Sequence, residues 1–307
     1  MIINTGTRTD IPAFYSKWFL NRIEEGFVLS KNPYNNQIYK YNFNPKTVDC
    51  LCFCSKNPKP LVRNLDELSD YRQFWFTTIN PYGRDIEVNV PDYKKVIETF
   101  KELSDALGIN CVSWRYDPIF ITEKYSIDFH IEKFEEMASE LYGYTSDCTI
   151  SFIDLYQKVL RNFPKAREVT TDERLEIGKN FARIADEYGI QMKTCVEGTL
   201  LDKFGFDSSG CMTQKVLENA IGNNLKVPKG KYRNRECNCV MGRDIGLYNT
   251  CMHGCKYCYA NSNMKLVKRN QKLHNPDSPL LICEINENGV VKEVNEPSFM
   301  DSQQTLI

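Results

Sequence analysis

Three cysteines near the end of the sequence have the type and spacing of metal ligands. Cys251, Cys255 and Cys258 follow one another as C-x3-C-x2-C in the segment YNTCMHGCKYCYAN, residues 248–261. A closed zinc or iron–sulfur site takes four protein ligands, so three thiolates leave one position open. We therefore predict that these cysteines bind three irons of a 4Fe–4S cube and leave the fourth iron to a non-protein ligand.

Two neighbouring residues suit such a site. Gly254 allows the chain to turn closely around a cube, and Tyr257 offers a flat face on which an adenine can stack. The alternative is a structural zinc site completed by a fourth ligand, with Cys237, Cys239 and His253 as the candidates. The cluster is favoured, because C-x3-C-x2-C is an unusual zinc spacing.

Four other cysteines lie in the same third of the chain. Cys237 and Cys239 form a C-x-C pair, and Cys195 and Cys211 precede them. Four thiolates can hold a second iron–sulfur cluster or a zinc ion, and four free thiols are the alternative.

The remaining six cysteines are interpreted as packing residues. Cys50, Cys52 and Cys54 alternate along a predicted strand and therefore share one face of it. Isolated buried cysteines act as small apolar side chains, which we expect of the three others, Cys111, Cys148 and Cys283.

The elements that must position these residues follow a strand–helix alternation. Six apolar segments predict parallel strands covered on both faces. They are MIINTG (1–6), TVDCLCFCS (47–55), RQFWFTTIN (72–80), INCVSWRYD (109–117), DCTISFIDL (147–155) and IQMKTCVEG (190–198). Residues 1–198 thus predict a parallel array of about six βα units, the arrangement from which a partial (β/α)6 barrel of the TIM type is built.

Amphipathic segments between the strands predict helices. The clearest has a capping box formed by Thr170 and Glu173 and ends before Gly189. The predicted helices cover PAFYSKWFLNRI (12–23), DYKKVIETFKELSDAL (92–107), DFHIEKFEEMASELY (128–142) and TDERLEIGKNFARIADEY (171–188).

After residue 198 the alternation ends. Residues 199–307 predict a cysteine-rich segment that folds over the barrel mouth as part of the same structural unit, with one short helix and an irregular tail at VKRNQKLHNPDSPLL (267–281).

Polar side chains follow nearly every predicted strand. The carboxyl ends of parallel strands in a barrel meet at one mouth, where active sites lie. We expect catalytic roles for Lys56, Arg115, Asp117 and Glu197, and cofactor binding by Arg8, Asp10 and Asp154, with Lys158 close by. The alternative for each residue is an internal ion pair or, for Asp10, a helix cap.

The bulk composition is that of a globular protein. Of 307 residues, 42% are hydrophobic and 26% charged, and the net charge of −1 gives no general attraction to nucleic acid. The amino terminus lacks a signal-peptide pattern, and no apolar run reaches the length of a membrane span. We expect a cytoplasmic protein without membrane contact, in which clustered cysteines are more often ligands than disulfides.

The three-cysteine motif, with an aromatic residue before its last cysteine, resembles the signature of the radical S-adenosylmethionine (SAM) enzymes. The stretch CMHGCKYCYA (251–260) is similar to the cluster loop of the spore photoproduct lyase branch. The resemblance implies a 4Fe–4S cluster whose open iron binds SAM, reductive cleavage to a 5′-deoxyadenosyl radical, and a six-unit partial barrel. It also implies a reductant such as flavodoxin or ferredoxin. In that superfamily the cluster loop usually follows the first strand, whereas here it follows the sixth.

The whole chain resembles a bacterial family of unknown function that carries a radical-SAM-like cysteine cluster at its C-terminal end. The similar stretches are GTRTDIPAFYSKWF (6–19), SKNPKPL (55–61), WRYDPI (114–119), SFIDLYQKV (151–159) and DIGLYNTCMHGCKYCYAN (244–261). The lyase likeness suggests a nucleic acid or nucleotide substrate, which the basic stretch KVPKGKYRNR (226–235) can contact through phosphate. That stretch is otherwise a solvated loop.

Two other functions stay open at this point. The first is a non-catalytic barrel in which zinc or an iron–sulfur cluster fastens the tail. The second is a barrel enzyme that uses the mouth for hydrolysis and has only a structural metal.

Overall fold

A computed structural model describes residues 1–232, 237–282 and 290–301. Its ten strands are β1 (Ile2–Asn4), β2 (Phe27–Lys31), β3 (Ile38–Asn42), β4 (Cys50–Ser55), β5 (Gln73–Thr78), β6 (Val112–Ile119), β7 (Asp147–Phe152), β8 (Gln191–Thr194), β9 (Arg243–Asp244) and β10 (Val291–Val294). Its nine α-helices are α1 (Ile11–Phe14), α2 (Ser16–Glu25), α3 (Lys59–Val62), α4 (Tyr93–Leu107), α5 (Ile127–Leu141), α6 (Gln157–Asn162), α7 (Thr171–Glu187), α8 (Gln214–Ile221) and α9 (Met264–Lys272). None of the helices within these ranges is long and apolar enough to cross a membrane.

The centre of the fold is a seven-stranded sheet in the order β8-β7-β6-β5-β4-β1-β9. Every neighbouring pair in it is parallel. All six predicted strands are present, and they lie side by side in chain order. The added edge strand β9 leads directly into the three-cysteine motif. The protein is therefore a mixed α/β fold built on a parallel sheet.

Alternate residues of the strands build two different layers. Phe53, Trp75 and Trp114 lie on the face that packs against the helices, and all three are fully buried. The other face carries Cys52 and Phe76, which belong to a second apolar cluster. Residues 207–232 and 237–240, called the covering segment below, supply the opposite side of that cluster. The packing role predicted for the strand β4 cysteines is confirmed for Cys50 and Cys52, both buried.

The predicted helices form with one correction. The capping box at the start of α7 is present, and Pro12 lies in the first turn of α1. The continuous helix predicted over 12–23 is wrong, because the chain breaks at Tyr15, whose φ is −133°. This break leaves the Tyr15 hydroxyl placed to donate a 2.7 Å hydrogen bond to the carbonyl of Thr250.

Two regions have more regular structure than the sequence analysis predicted. Strands β2 and β3 form an antiparallel hairpin, on which β10 adds a third strand. Its turn contains Asn36 in the left-handed region, a conformation that asparagine tolerates. The tail predicted to be irregular contains α9, which Asn263 caps by accepting a hydrogen bond from the Leu266 amide at 2.9 Å.

Candidate functional site

Residues 248–261, called the cysteine loop, lie against segments that follow the central strands. After β5, the Asn89 amide donates a 2.8 Å hydrogen bond to the carbonyl of His253. After β7, the Lys158 ammonium donates to the carbonyl of Tyr259. The loop therefore contacts the segments that follow β5 and β7, two strands that lie on either side of β6 in the sheet.

The backbone of the loop turns sharply and directs amide groups onto its sulfur atoms. Gly254 has a φ of +69°, in the left-handed region that favours glycine. The Ala260 amide lies 3.3 Å from Cys258 Sγ, and backbone hydrogen bonds from His253 and Asp10 act on Cys251. Such donors stabilise a thiolate and are found around the sulfurs of iron–sulfur sites.

The three thiols are close enough to influence one another. Burial is the main cause that raises the pKa of Cys251 and of Cys255, and in both the neighbouring thiols raise it further. Lys56 acts in the opposite direction on Cys255. A metal that binds these cysteines must therefore displace protons.

Asp10 joins the end of β1, the end of β4 and the cysteine loop. It caps α1 by accepting from the Ala13 amide at 3.0 Å, so the predicted helix cap is confirmed. Its carboxylate also accepts from Ser55 Oγ at 2.7 Å and the Lys56 amide at 2.8 Å. His253 Nε2 lies 2.8 Å from the same carboxylate, and both side chains are buried.

Glu87 is the centre of a second network that the sequence analysis did not identify. This carboxylate is 3% exposed and accepts from Lys56 Nζ at 2.9 Å and Asn80 Nδ2 at 3.0 Å. The Tyr257 hydroxyl donates to the same oxygen. Asn80 also donates to the carbonyl of Asp117 at 2.6 Å. The strand ends β4, β5 and β6 are thereby linked to the cysteine loop.

The ionisable groups in this network shift one another's pKa. Burial is the largest influence on the pKa of Lys56 and lowers it, but Glu87, Cys255 and Asp117 together raise it above the usual value. Burial and Glu87 also raise the pKa of Tyr257, so the phenol stays protonated and donates. The Lys56 ammonium lies 5.4 Å from the centre of the Tyr257 ring, within the range of a cation–π contact.

Arg115 and Asp117 form an internal ion pair, with Nη2 and Oδ2 2.6 Å apart. Nη1 of the same arginine lies 3.2 Å from Cys211 Sγ in the covering segment. The predicted catalytic pair therefore stands between the Glu87 network and the second set of cysteines.

Glu197 and Asp154 lie at the β7–β8 end of the sheet. Glu197 accepts from the Phe152 amide at 2.8 Å and pairs with Arg174 at 2.9 Å. Burial raises its pKa to about 7 against the opposing effect of these two partners. Asp154 is exposed and accepts from Tyr156 at 3.3 Å. The structure does not bring this pair to the Lys56–Glu87 network.

Arg8 lies at the β1–β9 edge. Its Nη1 donates to the carbonyls of Asp244 and Gly246 at 3.4 Å each, and its Nε is 3.9 Å from the Asp244 carboxylate. It thus holds the chain that leads from β9 into the cysteine loop.

The second set of cysteines is gathered beside β8. Cys195 follows that strand, and Cys211, Cys237 and Cys239 belong to the covering segment. A groove of about 470 Å³, lined in part by Val196 and Cys237, opens beside them. In the described ranges, no three His, Cys, Asp or Glu side chains already converge on one point as ligands of a single ion. The three cysteines of the loop are predicted to bind different irons of a cube, so those ligands need no common point.

Cysteines outside the two sets differ in surroundings. Cys148 is fully buried, whereas Cys111 is half-buried and its thiol lies 3.2 Å from the carbonyl of Ala220. Cys283 lies outside the described residues.

The fold and the site define a parallel α/β protein with a cysteine loop at the carboxyl side of its sheet. Residues 2–260 match the family described as Domain of unknown function (DUF1848), and the chain belongs to that family. The match extends two residues beyond Cys258 and so includes the three cysteines. No curated protein matches the chain.

Proposed function

We propose that this protein is a radical SAM-type enzyme in which Cys251, Cys255 and Cys258 hold a 4Fe–4S cluster with one iron open to SAM. When bound and reduced, this group supplies a 5′-deoxyadenosyl radical from SAM. The observation that carries the proposal is the position of the three-cysteine loop on the carboxyl side of a parallel sheet, where α/β proteins bind ligands.

The residues present suit such a group. Peptide donors act on the sulfurs of Cys251 and Cys258, as thiolate ligands require. Two buried polar atoms, His253 Nδ1 in the loop and Asn80 Oδ1 next to it, have no hydrogen-bond partner among the described residues. Unpartnered buried atoms are rare and often mark a position for a polar ligand or an ordered water.

Lys56, Glu87 and Tyr257 orient the loop in this proposal. The buried carboxylate holds the lysine and the phenol together, so the loop presents its cysteines in one arrangement. Arg115 and Asp117 provide paired charges further along the same edge, where a polar substrate can be oriented. The aromatic packing of Tyr257 against Tyr82 and Phe120 excludes water from one side of the site.

We also propose that the parallel sheet and its helices form a partial (β/α)6 barrel. Its support is the chain-order arrangement of β1, β4, β5, β6, β7 and β8, all parallel, with helices on one face and the covering segment on the other. A loop that crosses the carboxyl ends then closes the barrel mouth.

The remaining partners follow from the chemistry. A flavodoxin- or ferredoxin-type protein supplies the electron in the cytoplasm. The substrate class is a nucleic acid or nucleotide, with the stretch 226–235 as the phosphate contact. Residues 233–235 of that stretch lie outside the described residues, and Lys229–Lys231 form a single 3₁₀ turn.

Anaerobic reconstitution with iron and sulfide tests the proposal. The wild-type chain should retain about four irons attributable to the loop and, with dithionite and SAM, release 5′-deoxyadenosine. Cys255→Ala should lose both. Cys111→Ala is the matched control, because Cys111 belongs to neither cysteine set, and it should keep both. A wild-type protein that loads only zinc and forms no nucleoside would favour the non-catalytic alternative.

A further inference from the structure

The second set of cysteines is connected by close sulfur contacts. Cys211 Sγ and Cys239 Sγ are 3.8 Å apart. The thiols of Cys195 and Cys211 are close enough to shift each other's pKa. A Cβ atom placed on Gly210 would lie 2.9 Å from Cys239 Sγ and 3.2 Å from Cys237 Sγ, so these two sulfurs flank the same glycine.

Hydrogen-bond donors surround these sulfurs. The Met212 amide lies 3.2 Å from Cys239 Sγ, and the Cys239 amide lies 3.4 Å from Cys237 Sγ. The Arg115 guanidinium reaches Cys211 Sγ at 3.2 Å. Arg115 is paired with Asp117 through Nε and Nη2, and its Nη1 remains directed at Cys211, where it can offset part of the negative charge that thiolates around a metal carry.

We propose that Cys195, Cys211, Cys237 and Cys239 bind one zinc ion as a structural tetrathiolate centre. Binding forms four zinc–sulfur bonds and releases the four thiol protons to solvent. Because the thiols do not yet meet at one point, binding must rotate their side chains inward.

The contact between Cys211 and Cys239 suits zinc better than a second iron–sulfur cluster, because these two sulfurs would have to move apart around a cube. Tetrahedral zinc with bonds of about 2.3 Å sets its sulfurs about 3.8 Å apart. That edge equals the observed distance between Cys211 Sγ and Cys239 Sγ. A cube places its cysteines on different irons and so holds the sulfurs further apart.

The centre would fasten the covering segment to the sheet. Cys195 lies one residue beyond β8, while the other three ligands come from the covering segment. Cys211 and Cys239 are buried in the cluster that this segment forms with Cys52 and Phe76. The metal would therefore add a strong crosslink to an apolar contact, independently of the cysteine loop.

Metal analysis of the full chain, expressed with added zinc and purified without reconstitution, tests this assignment. One zinc per chain is expected in the wild type and in the triple variant Cys251→Ala/Cys255→Ala/Cys258→Ala. Cys239→Ser should lose that zinc, and Cys111→Ser should keep it. Zinc that is lost from the triple variant but retained in Cys239→Ser would place the metal at the loop and overturn the proposal. Iron and sulfide in place of zinc in the triple variant would overturn the choice of zinc.

Alkylation of the wild-type chain decides the matter if Cys239→Ser does not fold. Peptide mass spectrometry after iodoacetamide treatment should show the four cysteines protected in the zinc-loaded protein and modified after chelation. Cobalt substitution should give the intense absorption of tetrahedral thiolate coordination. Equal modification with and without zinc would overturn the proposal. Neither alkylation nor cobalt substitution depends on SAM chemistry. A failure of the zinc proposal is therefore distinguishable from a failure of the proposed function.

Discussion

Glu87→Gln removes the charge at the centre of the Lys56–Glu87–Tyr257 network while keeping the shape of the side chain. The substituted amide can still accept from Asn80 or Tyr257, but Lys56 loses its ion-pair partner at 2.9 Å. We expect a less stable protein and a cysteine loop that opens more readily.

The expected loss in the free energy of unfolding follows from burial. Removing one member of a buried ion pair costs about 3–5 kcal/mol, because the other charge stays buried without a partner. The side chain of Glu87 is 3% exposed, but that of Lys56 is 16% exposed and reaches some solvent. The lower end of that range, about 3 kcal/mol, is therefore expected.

Urea denaturation of a double-mutant cycle measures this effect. Glu87→Gln and Lys56→Met are compared with the wild type and with the double variant, which buries neither charge. The double variant should be more stable than the sum of the single changes predicts, by about 2 kcal/mol. Hydrogen exchange at loop amides such as Lys256, which bonds to the Ile86 carbonyl, should quicken in Glu87→Gln. Additive single variants with unchanged loop exchange would refute the reasoning.

Three further predictions concern the loop and the core. Gly254→Ala should strain the left-handed turn by about 1–2 kcal/mol and lower the iron retained after reconstitution. Asp10→Ala should remove a helix cap worth about 1 kcal/mol and the contact between Asp10 and His253. A chelator should therefore remove iron from this variant faster than from the wild type. Burial lowers the pKa of His130 to about 4, so stability should fall by up to about 3 kcal/mol as pH drops from about 6.5 to about 4 in urea titrations.

Matched variants control these experiments. Gly254→Asn should retain more iron than Gly254→Ala, because asparagine tolerates the left-handed conformation. Asp92→Ala removes the cap of α4 without touching the loop, and its iron should be released at the wild-type rate. His130→Gln should show a shallower loss of stability in acid, since the unfolded chain no longer takes up the extra proton. Equal slopes for this variant and the wild type would contradict the assignment.

The central strands could be predicted because each carries its own signal. Segments such as RQFWFTTIN have the continuous apolar and β-branched composition of a strand covered on both faces, and β5 forms there. Strands β2 and β3 lack such a long continuous apolar stretch. In the structure Ile38, Tyr39 and Lys40 of β3 are only half-buried. The break at Tyr15 was also missed. The Tyr15 hydroxyl donates to the carbonyl of a residue 235 positions away, and no local pattern indicates that contact.

The site could be predicted only as far as local patterns reach. The three-cysteine motif and the cap at Asp10 are both short-range signals. The contact between Asp10 and His253 joins positions 243 residues apart, and no periodicity indicates it. Glu87 lies in a loop that also carries Arg84, Asp85 and Asn89. These three residues are exposed, whereas Glu87 is buried, and the sequence does not show that difference. Glu197 was expected at the same site as the loop residues. It follows β8, which lies at the opposite edge of the sheet from β9, and it pairs there with Arg174.

Electron paramagnetic resonance of the reduced, reconstituted protein tests the central claim most directly. Spectra are taken with and without SAM, for the wild type and for Cys255→Ala. We predict a 4Fe–4S signal that changes on addition of SAM in the wild type and is lost in the variant. A signal that SAM leaves unchanged, or that persists in Cys255→Ala, would contradict a SAM-binding cluster on the three-cysteine loop.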